Sequence, residues 1–254
     1  MSTAINGSAT LEDISPHPLA DLPEGTKNPL DYALTQRDGS TLAMVRAAVA
    51  HNQTLMAYQP VMRDADDPKI AFYEGFIRIL DPTGRVIPAR EFMPVVEKTQ
   101  LGREIDVLSL NAGLAALSEN KGLRLSINMS ARSIGYAGWT TLLNRWLSRD
   151  GTIGERLILE ISEKSAMQMP ELVASFMDQL QTRGVCFALD NFGSDYIAIR
   201  YLKEMFFDIL KIDGQFARGV SDHPDNRAIV SIMVSIARNF DMITVAEQVE
   251  TATE

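Results

Sequence analysis

Short apolar runs that end abruptly in a polar residue recur along the chain and predict a parallel α/β fold. The clearest run, residues 185–189, is rich in β-forming residues and is followed by Asp190, Asn191 and Gly193. Such a run, bounded by turn residues, is typical of a fully buried parallel strand. Similar runs predict strands that end at Tyr58, Glu74, Asn128, Glu160, Asp190, Lys211 and Glu247.

The segments between these strands carry helical patterns, near residues 41–50, 89–98, 101–119, 136–149, 170–183, 196–205 and 225–239. From Asn128 onward the strand ends follow one another at the spacing of βα units, which are about thirty residues long. The first two strands, residues 55–62 and 69–80, are joined by a short polar turn. This turn predicts a hairpin, so the first strand should run antiparallel to the second.

The fold class predicted is therefore α/β, a modified TIM-type (β/α)8 barrel with an antiparallel first strand. A closed barrel of this type needs eight strands, and the pattern predicts one fewer. We therefore expect the final strand to be missing from this chain and the barrel domain, residues 29–254, to be C-terminally truncated. Residues 1–28 are rich in Ser, Thr, Gly, Pro and acids without periodicity, which predicts a flexible N-terminal arm.

Composition excludes several classes of function. The formal net charge of −9 argues against a nucleic-acid-binding protein, which would present a basic face. We find no apolar run long enough to span a membrane and no signal-peptide pattern. The single cysteine, Cys186, lies inside a predicted strand, which excludes a disulfide framework and favours a reducing, cytoplasmic setting.

The polar strand ends point to a shared site. Side chains at the carboxyl ends of parallel strands converge at one mouth of a barrel, and buried charges are costly unless they pair or bind a metal. For any one strand, an ordinary solvated turn residue is the better interpretation. For six strands together, a cation site explains the pattern better, formed by Glu74, Asn128, Glu160, Asp190, Lys211 and Glu247.

At these positions the sequence resembles EAL domains, the cyclic di-GMP phosphodiesterase family. Glu74-Gly75-Phe76-Ile77-Arg78 resembles the Glu-Ala-Leu-x-Arg motif of that family, and Asp190-Asn191-Phe192-Gly193 resembles Asp-Asp-Phe-Gly. Five further motifs are similar and stand in the family's order: Tyr58-Gln59-Pro60, Ser126-Ile127-Asn128-Met129-Ser130, Leu159-Glu160-Ile161-Ser162-Glu163, Leu210-Lys211-Ile212-Asp213 and Ala246-Glu247-Gln248-Val249-Glu250. The family has Ala-Glu-Gly-Val-Glu in the last of them. Seven ordered motifs make the resemblance highly specific.

The resemblance implies a cytoplasmic signalling domain that hydrolyses cyclic di-GMP to linear pGpG with one or two Mg²⁺ or Mn²⁺ ions. The implied metal ligands are Glu74, Asn128, Glu160, Asp190 and Asn191, and the implied catalytic residues are Lys211 and Glu247. Arg78 would contact substrate phosphate, and Glu163 would brace the loop that follows Asp190. The implied guanine contacts are Gln59, Phe76, Asp213 and Glu250.

Departures from the family pattern leave an alternative open. Asn191 replaces the second aspartate, a ligand of the second metal, and residues 194–198 differ from the usual loop sequence. These changes predict slow turnover, or a catalytically degenerate receptor that binds cyclic di-GMP and acts through protein partners. A pure interaction scaffold is less consistent, because it needs no buried charge cluster. The resemblance leaves a homodimer and a signalling partner protein both open.

Overall fold

Alternating strands and helices build one curled sheet in this computed structural model, which describes residues 28–63, 68–194 and 199–251. The predicted arm, apart from Asn28, lies outside the described residues. The strands are β1 (Thr54–Arg63), β2 (Lys69–Leu80), β3 (Val86–Pro88), β4 (Leu125–Asn128), β5 (Leu157–Ser162), β6 (Cys186–Phe192), β7 (Ile209–Ile212) and β8 (Ile243–Ala246).

Most of the longer α-helices agree with the pattern, but the first begins at Pro29 rather than near residue 41, and two four-residue helices were not predicted. The α-helices are α1 (Pro29–Ala50), α2 (Ala89–Val96), α3 (Gln100–Glu119), α4 (Ala137–Arg149), α5 (Glu163–Ala166), α6 (Pro170–Gln181), α7 (Gly214–Ala217) and α8 (Pro224–Asn239). In its described part, residues 199–205, the helix predicted over residues 196–205 is wrong, because the structure has a short 3-10 helix there, Ile199–Lys203. Across the residues described, every helix is too short or too polar to cross a membrane.

Strand pairing follows the order β1-β2-β4-β5-β6-β7-β8, with β3 paired to β2. The predicted antiparallel first strand is confirmed, since β1 pairs antiparallel with β2, while β4 to β8 are parallel. Pattern analysis missed β3, which is only three residues long. In the described residues no pairing joins β1 to β8, so the sheet curls into a half-barrel that is open along these edges.

The two faces of each parallel strand have different neighbours. In β4, Leu125 and Ile127 are buried in the large core cluster together with Leu110 and Leu114 of α3. A Cβ atom at Gly113 would collide with Ile127, which explains why α3 can pack so closely on this strand. Because side chains alternate along a strand, Ser126 and Asn128 point to the opposite, inner face of the curled sheet.

A small apolar cluster fills the inner face below the predicted site, formed by Phe72, Ile158, Ala188 and Ile209. Each of these residues precedes a predicted site residue by two positions, so its side chain lies on the same face of its strand. The site residues stacked one layer above them are Glu74, Glu160, Asp190 and Lys211. The sheet thus positions four charged side chains on an apolar floor.

Candidate active site

A buried lysine forms the centre of the site. Lys211 is 1% exposed, and its Nζ lies 2.6 Å from Oε2 of Glu160 and 3.0 Å from Oε2 of Glu74. Two more carboxylates approach the same atom, Oδ1 of Asp190 at 2.8 Å and Oε1 of Glu247 at 3.1 Å. The structure therefore brings five of the predicted residues together, although they come from five different strands or strand ends.

One ammonium group faces four carboxyl groups, and this arrangement shifts the pKa values of Lys211, Glu160 and Glu247. Burial by itself would lower the pKa of Lys211, but the four neighbouring acids outweigh it and raise the pKa, so the lysine stays charged. Burial also raises the pKa of Glu160, and charge repulsion from Glu74 and Asp190 adds to the effect. The pKa of Glu247 is raised for similar reasons, burial first. The cluster thus carries more acidic groups than its single cation can neutralise.

Two asparagines complete the cluster at its rim. Nδ2 of Asn128 donates a hydrogen bond to Oε1 of Glu74 at 3.1 Å. Nδ2 of Asn191 donates to Oδ2 of Asp190. Asn191 has a φ of 56°, in the left-handed region that asparagine and aspartate enter more readily than most residues. The Asn191 amide is therefore bonded to the Asp190 carboxylate. An aspartate at position 191, as in the family motif, would repel that carboxylate.

The donor set fits a hard divalent cation. Mg²⁺ and similar ions prefer carboxylate, carbonyl and water oxygens, and the site offers four carboxyl groups and two side-chain amides. Oε1 of Glu160 is buried and accepts no hydrogen bond, which leaves an acceptor oxygen available inside the cluster. Among the described residues no group of three acids is already arranged as a coordination site. The reason is visible in the geometry, since each acid directs an oxygen towards Lys211.

A cavity of about 520 Å³ opens beside the cluster. Six predicted site residues line it: Gln59, Phe76, Arg78, Asn128, Asp190 and Asn191. The guanidinium carbon of Arg78 lies 5.4 Å from the centre of the Phe76 ring, and its Nη1 donates to the Ile77 carbonyl at 3.3 Å. Burial lowers the pKa of Arg78, and the charge of Arg90 lowers it further. Two guanidinium groups thus face one cavity.

Two predicted guanine contacts lie elsewhere. Asp213 caps the N-terminus of α7, where its Oδ1 accepts a hydrogen bond from the Gln215 amide at 2.8 Å. Glu250 is exposed and follows β8. Neither belongs to the lining of the 520 Å³ cavity, at least as far as the described residues define it. Gln59 is exposed on β1, directly opposite Glu74 in the register.

Glu163 forms a hydrogen bond with the loop that follows β6. Oε2 of this buried acid accepts a hydrogen bond from the Gly193 amide at 3.0 Å. Gly193 has a φ of 93°, and a Cβ atom there would collide with Met233. Residues 195–198, which carry most of the altered loop sequence, lie outside the described residues.

Pattern analysis missed several polar residues that line the cavity, among them Arg90, Glu97, Asp106, Ser130 and Ser165. Asp106 is 5% exposed and shares its face of α3 with Leu110 and Leu117. A charged residue inside an apolar helical stripe is a signal that the sequence does contain. The exposed Arg90 at the start of α2 gives no comparable signal.

These features define the class of protein: a TIM-like barrel with an acidic, lysine-centred site at the carboxyl ends of its strands. Comparison with known families identifies it further. The sequence matches the family model described as EAL domain over residues 42–254. The chain belongs to the EAL domain family, as its motifs predict.

Individual relatives agree with this assignment. The chain is 30% identical over 257 residues to the cyclic di-GMP phosphodiesterase PdeB of Shewanella oneidensis, covering 97% of this chain and 30% of that protein. It is also 30% identical over 212 residues to the bifunctional diguanylate cyclase/cyclic di-GMP phosphodiesterase MucR of Pseudomonas aeruginosa, covering 82% and 31%. The chain thus spans less than a third of these relatives' length.

Solved structures share the fold. The MucR phosphodiesterase in complex with cyclic di-GMP superimposes with a TM-score of 0.71 at 29% identity, covering 84% of this chain and 88% of that one. The FimX EAL domain of Pseudomonas aeruginosa, bound to cyclic di-GMP, gives a TM-score of 0.74 at 23% identity, covering 85% and 88%. At that identity the FimX match supports the fold alone.

Proposed function

We propose that this chain is a cyclic di-GMP phosphodiesterase domain that uses one or two divalent cations, Mg²⁺ or Mn²⁺. The observation that carries the proposal is the cluster of four acids around Lys211, placed beside a cavity that contains Arg78. The names of PdeB and MucR support the substrate. In the reaction, a water molecule loses a proton as its oxygen bonds to phosphorus, the P–O3′ bond breaks, and the released oxygen takes up one proton, which gives linear pGpG.

The cation ligands in this proposal are Glu74, Asn128, Glu160, Asp190 and Asn191. A bound divalent cation would lower the pKa of a water molecule and offset charge on the phosphate oxygens. Glu160 has a buried oxygen without a hydrogen bond, which suits it to this role. Asn191 supplies a neutral amide, so the ligand set has one negative charge fewer than a pair of aspartates would give.

Lys211 and Glu247 are the proposed catalytic residues. Lys211 keeps its positive charge because of the surrounding acids, so it can orient a water molecule and balance negative charge without exchanging its proton. Glu247 is the most exposed of the four acids, with 18% of its side chain accessible, and can reach a water at the mouth of the site.

Arg78 is the proposed phosphate contact. Charge-assisted hydrogen bonds from arginine to phosphate are short and strong, and within the described residues this guanidinium donates a single hydrogen bond, to a backbone carbonyl. Phe76 would stack on one guanine, while Gln59, Asp213 and Glu250 would contact the bases from the rim. Glu163 would keep the loop after β6 in place through its bond to Gly193.

A degenerate receptor is the second candidate, favoured by one specific observation. The Asn191 amide donates to Asp190, and this bond occupies an oxygen that a second cation would need. A receptor of this kind would bind cyclic di-GMP and act through another protein or a second copy of the chain.

The deciding experiment is a chromatographic assay of cyclic di-GMP incubated with the purified protein and Mg²⁺ or Mn²⁺. We expect slow conversion to pGpG that is lost in Glu160→Gln and on chelation of the cation. Calorimetry on the same protein measures nucleotide binding. Binding without conversion would establish the receptor, and absence of both would overturn the proposal.

A further inference from the structure

The segment that follows Asn128 is held by buried side chains from two different helices. We define the β4 loop as residues 129–133. Oδ2 of Asp106, on α3, accepts hydrogen bonds from the Ser130 amide at 3.0 Å and from Oγ of Ser133 at 2.5 Å. Since Asp106 is 5% exposed, these two bonds form where water competes little. One carboxylate oxygen therefore fixes both ends of the loop.

The short helix α5 holds the same loop from the other side. Oγ of Ser165, which is 4% exposed, accepts a hydrogen bond from the Ala131 amide at 2.8 Å. The loop is therefore pinned between α3 and α5, immediately after the residue proposed as a cation ligand. Its first amide is also engaged, because Met129 donates to the Glu160 carbonyl at 2.9 Å.

Helix α5 also contacts a second loop, the one that follows β6. We define the β6 loop as residues 193–194, the described residues that follow β6. Glu163, two residues before Ser165 in α5, accepts the Gly193 amide of this loop at 3.0 Å. A single turn of helix at the end of β5 thus carries one bond to the β4 loop and one to the β6 loop. These loops follow Asn128 and the pair Asp190 and Asn191 in the chain.

We propose that Asp106 and Ser165 are positioning residues that act through Asn128, and that α5 couples the β4 loop to the β6 loop. Asp106 and Ser165 set the position of the β4 loop, and the loop keeps the Asn128 amide 3.1 Å from Glu74. Because α5 is shared, displacement of one loop is passed to the other. The inference rests on the proposed function where it treats Asn128 as a cation ligand.

The first test is a double-mutant cycle on Mn²⁺ affinity, measured by calorimetry without nucleotide. Ser165→Ala should weaken Mn²⁺ binding by about 10–100-fold, the usual effect of losing a group that orients a metal ligand. In an Asn128→Ala background the same change should add almost nothing, because the residue through which it acts is gone. Full additivity of the two effects would overturn the inference.

Asp106 is tested by a conservative and a truncating variant. Asp106→Asn retains a side-chain oxygen that can accept both hydrogen bonds, so Mn²⁺ affinity should stay close to that of the parent. Asp106→Ala removes the acceptor and should weaken Mn²⁺ binding as Ser165→Ala does. If both variants lose affinity equally, Asp106 acts through its charge and the positioning role is wrong.

The second test needs no cation and is hydrogen exchange on the metal-free chain. Ser165→Ala should accelerate exchange of the Ala131 amide in the β4 loop and of the Gly193 amide in the β6 loop. The matched control is Asp208→Ala, which removes a 2.8 Å bond from the Phe187 amide at the opposite end of the sheet. In this control, the exchange rates of the amides in both loops should stay as in the parent.

The results separate the inference from the proposed function. A parent that binds no Mn²⁺ would contradict the proposed cation site, while the exchange data would still decide whether α5 couples the loops. Faster exchange confined to the β4 loop, or equal acceleration throughout the chain, would overturn the coupling.

Discussion

At the scale of single residues, we expect Asn191 to limit the proposed hydrolysis of cyclic di-GMP. It contributes an amide where a carboxylate would bring a negative charge, and its Nδ2 donates to Asp190. Restoring the charge in Asn191→Asp should raise turnover of cyclic di-GMP with little change in nucleotide affinity, because Arg78 and the other ligands remain. The left-handed backbone at φ 56° suits aspartate as well as asparagine.

Turnover of Asn191→Asp is measured beside the parent, at saturating nucleotide and with each cation in turn. Mn²⁺ should support the parent better than Mg²⁺, since Mg²⁺ requires near-ideal octahedral geometry. A parent already as fast as its variant would mean that the amide is an adequate ligand.

Arg78 is the residue on which nucleotide affinity should depend most. Arg78→Ala should weaken cyclic di-GMP binding by about 1.5–3 kcal/mol, the usual contribution of a hydrogen bond to a charged group. The control is Arg85→Ala, an arginine whose side chain is 70% exposed and which lies outside the cavity. Calorimetry on both variants checks the prediction, and equal losses would show a general charge effect.

Asp106 should make stability depend on pH. Burial raises its pKa from 3.8 to about 7, and repulsion from Glu97 adds to this, although hydrogen bonds from Ser133 and Ser130 oppose it. Between these two values the folded protein binds more protons than the unfolded chain, so the free energy of unfolding falls as pH rises. Below the unfolded pKa the contribution is fully present, and above about pH 7 its loss is complete.

The measurement is urea unfolding of the parent and of Asp106→Asn from about pH 5 to pH 8, across the upper part of the titration. The variant cannot ionise at this position, so it should gain stability relative to the parent as pH rises. A difference between the two proteins that stays constant over this range would show that Asp106 does not titrate there.

At the scale of elements, the pattern succeeds where turn residues bound a strand with alternating burial. β2 spans Lys69–Leu80, as predicted, because alternation and turn residues bound it clearly. α1 begins at Pro29, twelve residues before its predicted start at residue 41. The sequence does hold the signal, since Asn28 is an N-cap whose side chain accepts the Asp31 amide, followed by proline at the first helical position.

The site likewise contains residues that could be predicted from the sequence and contacts that could not. Residues at strand ends could be predicted because parallel strands share one edge, and this alone brings Glu74, Glu160 and Lys211 together. The partners of Asp106 could not be predicted, because only tertiary packing brings Ser130 to α3, 24 positions away in sequence. Residue spacing carries no information on such a contact.

The β6 loop depends on a glycine. At Gly193 a Cβ atom would meet Met233 and Phe216, and the φ of 93° is unfavourable for any other residue. Gly193→Ala should therefore cost about 1–3 kcal/mol of stability, the range for strained backbone, and should weaken Mn²⁺ binding by moving Asp190. Gly122→Ala, at a turn where a Cβ meets nothing within 4 Å, is the control. Chemical unfolding measures the stability of both variants, and calorimetry measures their Mn²⁺ affinity.

At the scale of the whole molecule, apolar packing does not stabilise the layer of charged side chains at the strand ends. Four acids and one lysine lie above an apolar floor, in a chain whose net charge is −9. Burying ions costs several kcal/mol each unless they are well paired. The fold therefore depends on Lys211, and a divalent cation should share this role, since a ligand that binds only the folded state stabilises it.

Lys211→Met tests this dependence directly. Methionine is unbranched like lysine and only one atom shorter, but the substitution leaves four clustered acids without their cation, so it should destabilise the fold by about 3–5 kcal/mol. Added Mn²⁺ should restore part of the loss, because it returns positive charge to the same oxygens. Urea unfolding with and without Mn²⁺ measures both effects.

The matched control for Lys211→Met is Lys121→Met, which breaks an ion pair with Asp150 at the surface. The Lys121 side chain is 67% exposed, and its Nζ lies 2.5 Å from Oδ2 of Asp150. Exposed pairs contribute only about 0–1 kcal/mol, so this variant should unfold almost as the parent does and gain nothing specific from Mn²⁺. Equal losses in the two variants would mean that the buried acids are protonated in the folded state and need no cation, and the cation site would then be the part of the proposal to give up.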